Sequence, residues 1–211
     1  MAPADPTATL LELGAATLGE SGGRPMRARV HAVWPGARLA APAFPVHCTP
    51  GDNLAVHVGL TAAPRGSALV VDVGSVPELG YWGEVLTTAA EAHGLAGLII
   101  DGCVRDVAAL AAHRFPVFAV GIALPGATKT RPGTVGVPAH VGGVEVAPGD
   151  WVVGDTDGVT VIGAASLDAV LEAGQARADK EAGFFHALTA GATTVDLLGL
   201  DTSPIERGPA R

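Results

Sequence analysis

The spacing of apolar residues changes several times along the chain, and each change marks an element. Residues 7 to 20 could form a first helix, broken by Ser21-Gly22-Gly23. The segment MRARVHAVWPGARLAAPAFPVHC then alternates apolar and polar positions, which predicts two strands turning at Pro35-Gly36. A short helix is expected over Asn53 to Leu60, and Ser67 to Val73 (SALVVDV) reads as a buried strand ending at Gly74-Ser75. From Glu84 to His93 the period becomes helical. Val85, Leu86, Ala89 and Ala90 share one face, and Glu84, Thr87, Thr88 and Glu91 the other. Gly97 to Asp101 (GLIID) is a second buried strand, Asp106 to Arg114 a helix, and Pro116 to Gly121 (PVFAVG) a third strand.

That run is the βαβαβ core of an α/β fold, whose crossovers are expected to be right-handed. After it come short strands with Gly, Pro or Asp at their turns: Thr134 to Val137, Val141 to Val146, Trp151 to Gly154 and Val159 to Ile162. A long helix starts near Ser166, an N-cap residue type, and runs to about Ala190. The tail from Asp201 to Arg211 is expected to fray. With no repeat and no linker, residues 1–211 read as one domain.

Composition narrows this picture. Apolar residues make up 48% of the chain and charged residues 16%, too apolar for a disordered protein. The 29 Gly and 16 Pro fall mostly between apolar runs, as in a turn-rich α/β protein. A net charge of −8 argues against nucleic acid as a partner. The N-terminal residues lack a basic leader, and no apolar run is long enough to span a membrane. Cys48 and Cys103 suggest neither a disulfide framework nor a zinc site. A soluble, cytoplasmic protein with no membrane partner is expected.

The candidate chemistry is concentrated in GEVLTTAAEAHGLAGLIIDGCVRD. Twenty residues separate Glu84 from the pair Arg105-Asp106. That is room for a helix and a returning parallel strand, so both ends of the unit can meet at one sheet edge. Two carboxylates and a guanidinium would then suit a divalent metal and an anionic substrate. An ordinary helix start would also place an acid in the first turn. Gly83-Glu84 favours the pocket, because the amides of Val85 and Leu86 at the helix start can bind a carboxylate. The seven histidines share no ligand spacing, and His93 and His113 read as helix-end residues. Only two lysines occur, Lys129 in the polar turn TKTRPG and Lys180 in RADKE. Neither context desolvates an amine for Schiff-base chemistry, so carbonyl chemistry here would need a metal as electron sink. Asp150, Asp155 and Asp157 lack the full spacing of a calcium loop and read as a hairpin. Cys103 reads as a small packing residue near the pocket.

The ordered motifs VVDVGS, WGEVLTTAAEAHGLAGLIIDGCVRDV, FPVFAVG and TKTRPGTVGVPAHVGGVEVAPGDWVVGDTDGV resemble those of the RraA-like family, most strongly over residues 65 to 163. The family includes metal-dependent 4-hydroxy-4-methyl-2-oxoglutarate aldolases that also decarboxylate oxaloacetate. The resemblance implies a single-domain RraA-like α/β fold acting on a 2-oxo acid with Mg2+ or Mn2+. It implies that Asp106 holds the metal, partly through water, and that Arg105 binds substrate and stabilises the enolate. Glu84 would order metal-bound water, and Gly83, Val85 and Leu86 would line the substrate position. Members that regulate RNA degradation by binding a ribonuclease lack the Asp of the pair, so Asp106 favours the aldolase branch. The resemblance further implies a trimer or hexamer with sites between subunits, where Glu20 and Glu181 arrive from the neighbour. The alternatives are a non-catalytic ribonuclease regulator, or a member recruited to a specialised biosynthetic pathway on another 2-oxo acid.

Overall fold

The structure is a computed structural model that describes residues 5–206. In chain order its elements begin with α1 (Thr7–Glu20), β1 (Arg24–Pro25), β2 (His31–Ala32), β3 (Leu39–Cys48), α2 (Leu54–Ala62) and β4 (Ala68–Asp72). Next come α3 (Glu84–His93), β5 (Gly97–Ile100), β6 (Cys103–Val104), α4 (Val107–His113), β7 (Val117–Ala119) and β8 (Gly121–Ile122). The remainder is β9 (Gly133–Val135), β10 (Ala139–Val141), β11 (Val144–Val146), β12 (Trp151–Gly154), β13 (Val159–Ile162), α5 (Leu167–Thr189) and α6 (Thr194–Leu198). Residues 207–211 of the tail expected to fray lie outside the described residues.

Strands β3, β4, β5 and β7 form a parallel core, of which β4, β5 and β7 with α3 and α4 are the βαβαβ unit expected from the sequence. Antiparallel strands extend the sheet on both sides, giving the order β1-β13-β12-β3-β4-β5-β7-β2, with β9 also on β3. Successive side chains of a strand face opposite ways, and here both faces are covered. Leu69, Val71, Leu98, Ile100, Val117 and Ala119 pack beneath α2, α3 and α4. Their sequence neighbours Ala68, Val70, Ile99 and Phe118 join a second cluster with Val141, Val146 and Val161. A third cluster packs Leu10, Leu18 and Val170 of α1 and α5 on Val153 and Ile162.

Four expectations need correction, the first on α3, where Thr87 is buried with Leu86 and Ala90 while Val85 is exposed. The strands flanking Pro35-Gly36 exist but do not pair with each other: β2 lies on β7 at the far edge, while β3 sits in the centre. The Val33 amide donates to the Val117 carbonyl at 2.9 Å, and the Trp34 indole N–H to Phe115 at 2.9 Å, which anchors β2 there. The strand expected over Val141 to Val146 is a hairpin, β10 and β11, because Gly142 and Gly143 both take positive φ (59° and 82°). The first helix is broken at Gly14 (φ 77°, ψ 166°), where the Asp155 carboxylate accepts from the Ala15 amide at 2.7 Å.

Two of the aspartates that mimic a calcium loop, Asp150 and Asp155, are occupied by the chain itself. Asp150 accepts from the amides of Ala147 and Ala164 and from Arg24. Asp155 accepts from the amides of Ala15 and Asp157. Both anchor the ends of the β12–β13 hairpin.

Candidate active site

The loops leaving the carboxyl ends of β4 and β5 build one cleft, the position where α/β folds place their chemistry. The first loop runs to Gly83 at the start of α3, and the second through β6 to Asp106 at the start of α4. They are stitched together by backbone bonds: Tyr81 N–H to the Cys103 carbonyl at 3.1 Å and Arg105 N–H to the Trp82 carbonyl at 2.9 Å. β6 also pairs in parallel with β8. Tyr81 and Trp82 lie beneath, fully buried, with Trp82 stacked on Phe115 at 6.1 Å between centroids.

The cleft encloses about 220 Å³ and is bordered by Arg105, Asp106, Gly83, Val85 and Leu86, five residues singled out in the sequence. Asp106 has φ 59° and ψ 36°, left-handed backbone that a side-chain-bearing residue rarely adopts. Its Oδ2 accepts from the Glu84 amide at 3.1 Å and lies 3.8 Å from the Arg105 Nε. Among the described residues, nothing donates to Oδ1. Gly83 is a steric requirement: a Cβ there would lie 2.3 Å from Asp106 Oδ2. The amides of Val85 and Leu86 precede any helical acceptor, so they are available to an anion.

Glu84 stands at the first position of α3. Its amide supports Asp106, but its side chain does not line the cleft; Oε1 stands 3.7 Å from His113 Nε2 on α4. His113 is held in turn by Glu91 at 2.8 Å. Glu20 and Glu181 also lie away from the chain's own cleft, and Arg177 binds both: Glu20 through its terminal nitrogen, Glu181 through Nε at 2.8 Å. The two acids therefore share one surface at the junction of α1 and α5. Cys103 is buried and does not border the cleft.

The opposite wall was not anticipated. Asn53, His57 and Lys129 border it, with Gly80, Gly126 and Ala127. Buried Asp52 organises this wall, accepting from the amides of Leu54, Thr130 and Arg131 and from the Thr128 hydroxyl. Burial works against its charge, but those donors prevail and hold its pKa well below the usual carboxylate range. The Asn53 amide donates to the Thr128 carbonyl at 2.8 Å, which fixes Lys129 beside the start of α2. His57 has a lowered pKa, first from burial and second from the charge of Lys129, and both favour the neutral ring. No sequence periodicity links Asp52 to Thr128, so this wall arises only from the tertiary fold.

Among the described residues, no three His, Cys, Asp or Glu side chains converge as a metal cage. Among the described residues that border the cleft, Asp106 alone presents a carboxylate, and it is half-exposed. A lone carboxylate fits a hard cation such as Mg2+, which keeps most of its waters and takes one or two protein oxygens. It does not fit the closed nitrogen and sulfur set of structural zinc.

Fold and site thus define an α/β protein with one carboxylate, a guanidinium and free helix amides facing a small cleft. The profile of the RraA-like family, described as Aldolase/RraA, matches residues 7–161, and the chain belongs to that family. It is 38% identical over 146 residues to a Halalkalibacterium halodurans protein named "Putative 4-hydroxy-4-methyl-2-oxoglutarate aldolase", covering 69% of this chain and 70% of that one. An uncharacterized protein from Pseudomonas syringae pv. tomato shares the fold, with a TM-score of 0.77 and 24% identity over 91% of this chain and 93% of that one. The RNA-processing inhibitor RraA from Thermus thermophilis superimposes with a TM-score of 0.64 and 27% identity, covering 70% of this chain and 91% of that one.

Proposed function

We propose that this chain is a divalent-metal-dependent aldolase that cleaves a 4-hydroxy-4-methyl-2-oxoglutarate-like 2-oxo acid to pyruvate and also decarboxylates oxaloacetate. The observation that carries this reading is Asp106: a carboxylate set in left-handed backbone, at the mouth of a cleft beside Arg105 and the amides of α3. The name of the halodurans relative supports the same substrate class.

Asp106 would hold Mg2+ or Mn2+, which when bound supplies Lewis-acid polarisation of a 2-oxo acid. The amides of Val85 and Leu86 bind the substrate carboxylate at the positive end of α3. Arg105 faces the oxygen on C2, where negative charge grows as the C3–C4 bond breaks; a fixed guanidinium stabilises that charge more than the neutral ketone. Lys129 adds a second cation across the cleft. Gly80 and Gly83 keep the floor clear for the reacting carbons, since a Cβ at either would crowd Arg105. Aldol cleavage also needs the proton of the 4-hydroxyl removed, whereas decarboxylation does not. Glu84 faces His113, so that proton is assigned to an acid from a neighbouring subunit, Glu181 or Glu20, in a trimer-based assembly.

A binding role toward a ribonuclease is the second reading, favoured by the structural match to the Thermus inhibitor. Pyruvate release from oxaloacetate, followed with Mg2+ and again with a chelator, separates the two. Metal-dependent release supports the enzyme; no release above background supports the binding protein.

A further inference from the structure

Two polar atoms on the first turns of α2 lack a partner among the described residues: Asn53 Oδ1 and His57 Nε2. Both are buried away from solvent, so bulk water does not satisfy them. The Asn53 amide group is oriented by its other end, whose Nδ2 donates to the Tyr81 carbonyl at 2.8 Å; Oδ1 is therefore an acceptor. A neutral imidazole offers one acceptor nitrogen, and the tautomer protonated at Nδ1 makes it Nε2. Two dry acceptors thus belong to residues that line the same cleft as a cation, Lys129.

That cation is loosely held. Among the described residues the Lys129 ammonium makes one long contact, 3.4 Å to the Ala127 carbonyl. Its backbone is rigid by contrast, since the neighbouring Thr130 amide donates to Asp52 at 2.6 Å and the Thr128 carbonyl accepts from Asn53. A fixed root and a free head let the ammonium move without the loop moving.

Resting on the function proposed above, we propose that His57 is the positioning residue for Lys129: its Nε2, with Asn53 Oδ1, accepts from the ammonium and holds it over the carboxylate of a bound 2-oxo acid. His57 does not touch the substrate. It supplies an acceptor that directs a flexible side chain, so less of the ammonium's freedom is lost when ligand arrives. The neutrality of the ring is part of the device, because an imidazolium would repel Lys129 instead of accepting from it.

The test is a double-mutant cycle on the metal-loaded protein, read by calorimetric binding of pyruvate and by KM and kcat for oxaloacetate. His57→Phe keeps a ring and removes the acceptor, and Lys129→Met removes the cation; circular dichroism confirms that each variant is folded. His57→Phe is expected to weaken pyruvate binding about tenfold, the size of one hydrogen bond to a charged group. The larger share of its kinetic loss should fall on KM. His57→Gln, which restores an acceptor, should recover part of the affinity. In the Lys129→Met background His57→Phe should cost nothing further. An equal cost in both backgrounds, or none in the wild-type background, would overturn the role of His57 while leaving the functional reading intact. A wild-type protein that neither binds pyruvate nor releases it from oxaloacetate would overturn both.

Discussion

At the residue scale, Asp106 carries opposing demands. Its left-handed backbone costs a side-chain-bearing residue about 1–2 kcal/mol, and glycine would remove that cost. The strain is held by the bond from the Glu84 amide and by the neighbouring loops. Asp106→Gly is therefore expected to leave the melting temperature unchanged or higher while abolishing pyruvate release; thermal unfolding beside an oxaloacetate assay checks both halves. Gly83 gives a second expectation. A methyl group there meets Asp106 Oδ2 at 2.3 Å and Arg105 Cγ at 3.1 Å, so either the carboxylate or the loop must shift. Gly83→Ala should lower kcat/KM for oxaloacetate at least tenfold, with a smaller effect on stability. The spacing of Glu84 and Arg105-Asp106 was readable in the sequence because one βαβ unit links them. The direction of the Glu84 side chain was not, because His113, which faces it, belongs to the next helix.

At the element scale, the parallel core was legible because its strands are short, continuous apolar runs bounded by turn residues. Of the features misread, the placement of β2 involves pairing over a long distance in the sequence. Pro35-Gly36 signals a turn, but a turn does not dictate that its flanks pair, and β2 instead joins β7. The wall built by Asp52 is of the same kind: its carboxylate binds residues 128, 130 and 131 from the start of α2. Its lowered pKa gives a signed prediction. A depressed folded-state pKa contributes stability above the ordinary carboxylate pKa, and loses it as pH falls toward the folded value. Asp52→Asn should thus lower the melting temperature at neutral pH. The gap from wild type should narrow as the pH drops below about 4. Melting curves from pH 7 to about 3 check the sign, and a gap that widens on acidification would refute the clamp.

At the scale of the whole molecule, the chain offers apolar surface that it does not cover itself. Only Val170 and Gly174 of α5 are buried. Beyond them Phe185, Val195, Leu198, Leu200 and Ile205 are exposed, and Val85, Ile122 and Leu124 are exposed as well. In the proposed assembly a neighbour would cover part of this surface. No described helix is long and apolar enough to cross a membrane. The proposed assembly places Glu181 and Glu20, joined by Arg177, against a neighbour's cleft. Mixing inactive Asp106→Ala with inactive Glu181→Ala, under conditions that exchange subunits, should restore part of the aldolase activity. A fully active monomer, or normal cleavage by Glu181→Ala, would contradict that arrangement. The central claim is that Asp106 makes the cleft a metal-dependent site for 2-oxo acids. Its most direct test is pyruvate release from 4-hydroxy-4-methyl-2-oxoglutarate during Mg2+ titration of chelator-stripped wild-type and Asp106→Ala proteins. The account predicts saturable, Mg2+-restored cleavage by the wild type and none by the folded variant. Equal cleavage by the two proteins, or wild-type cleavage indifferent to chelator, would contradict it.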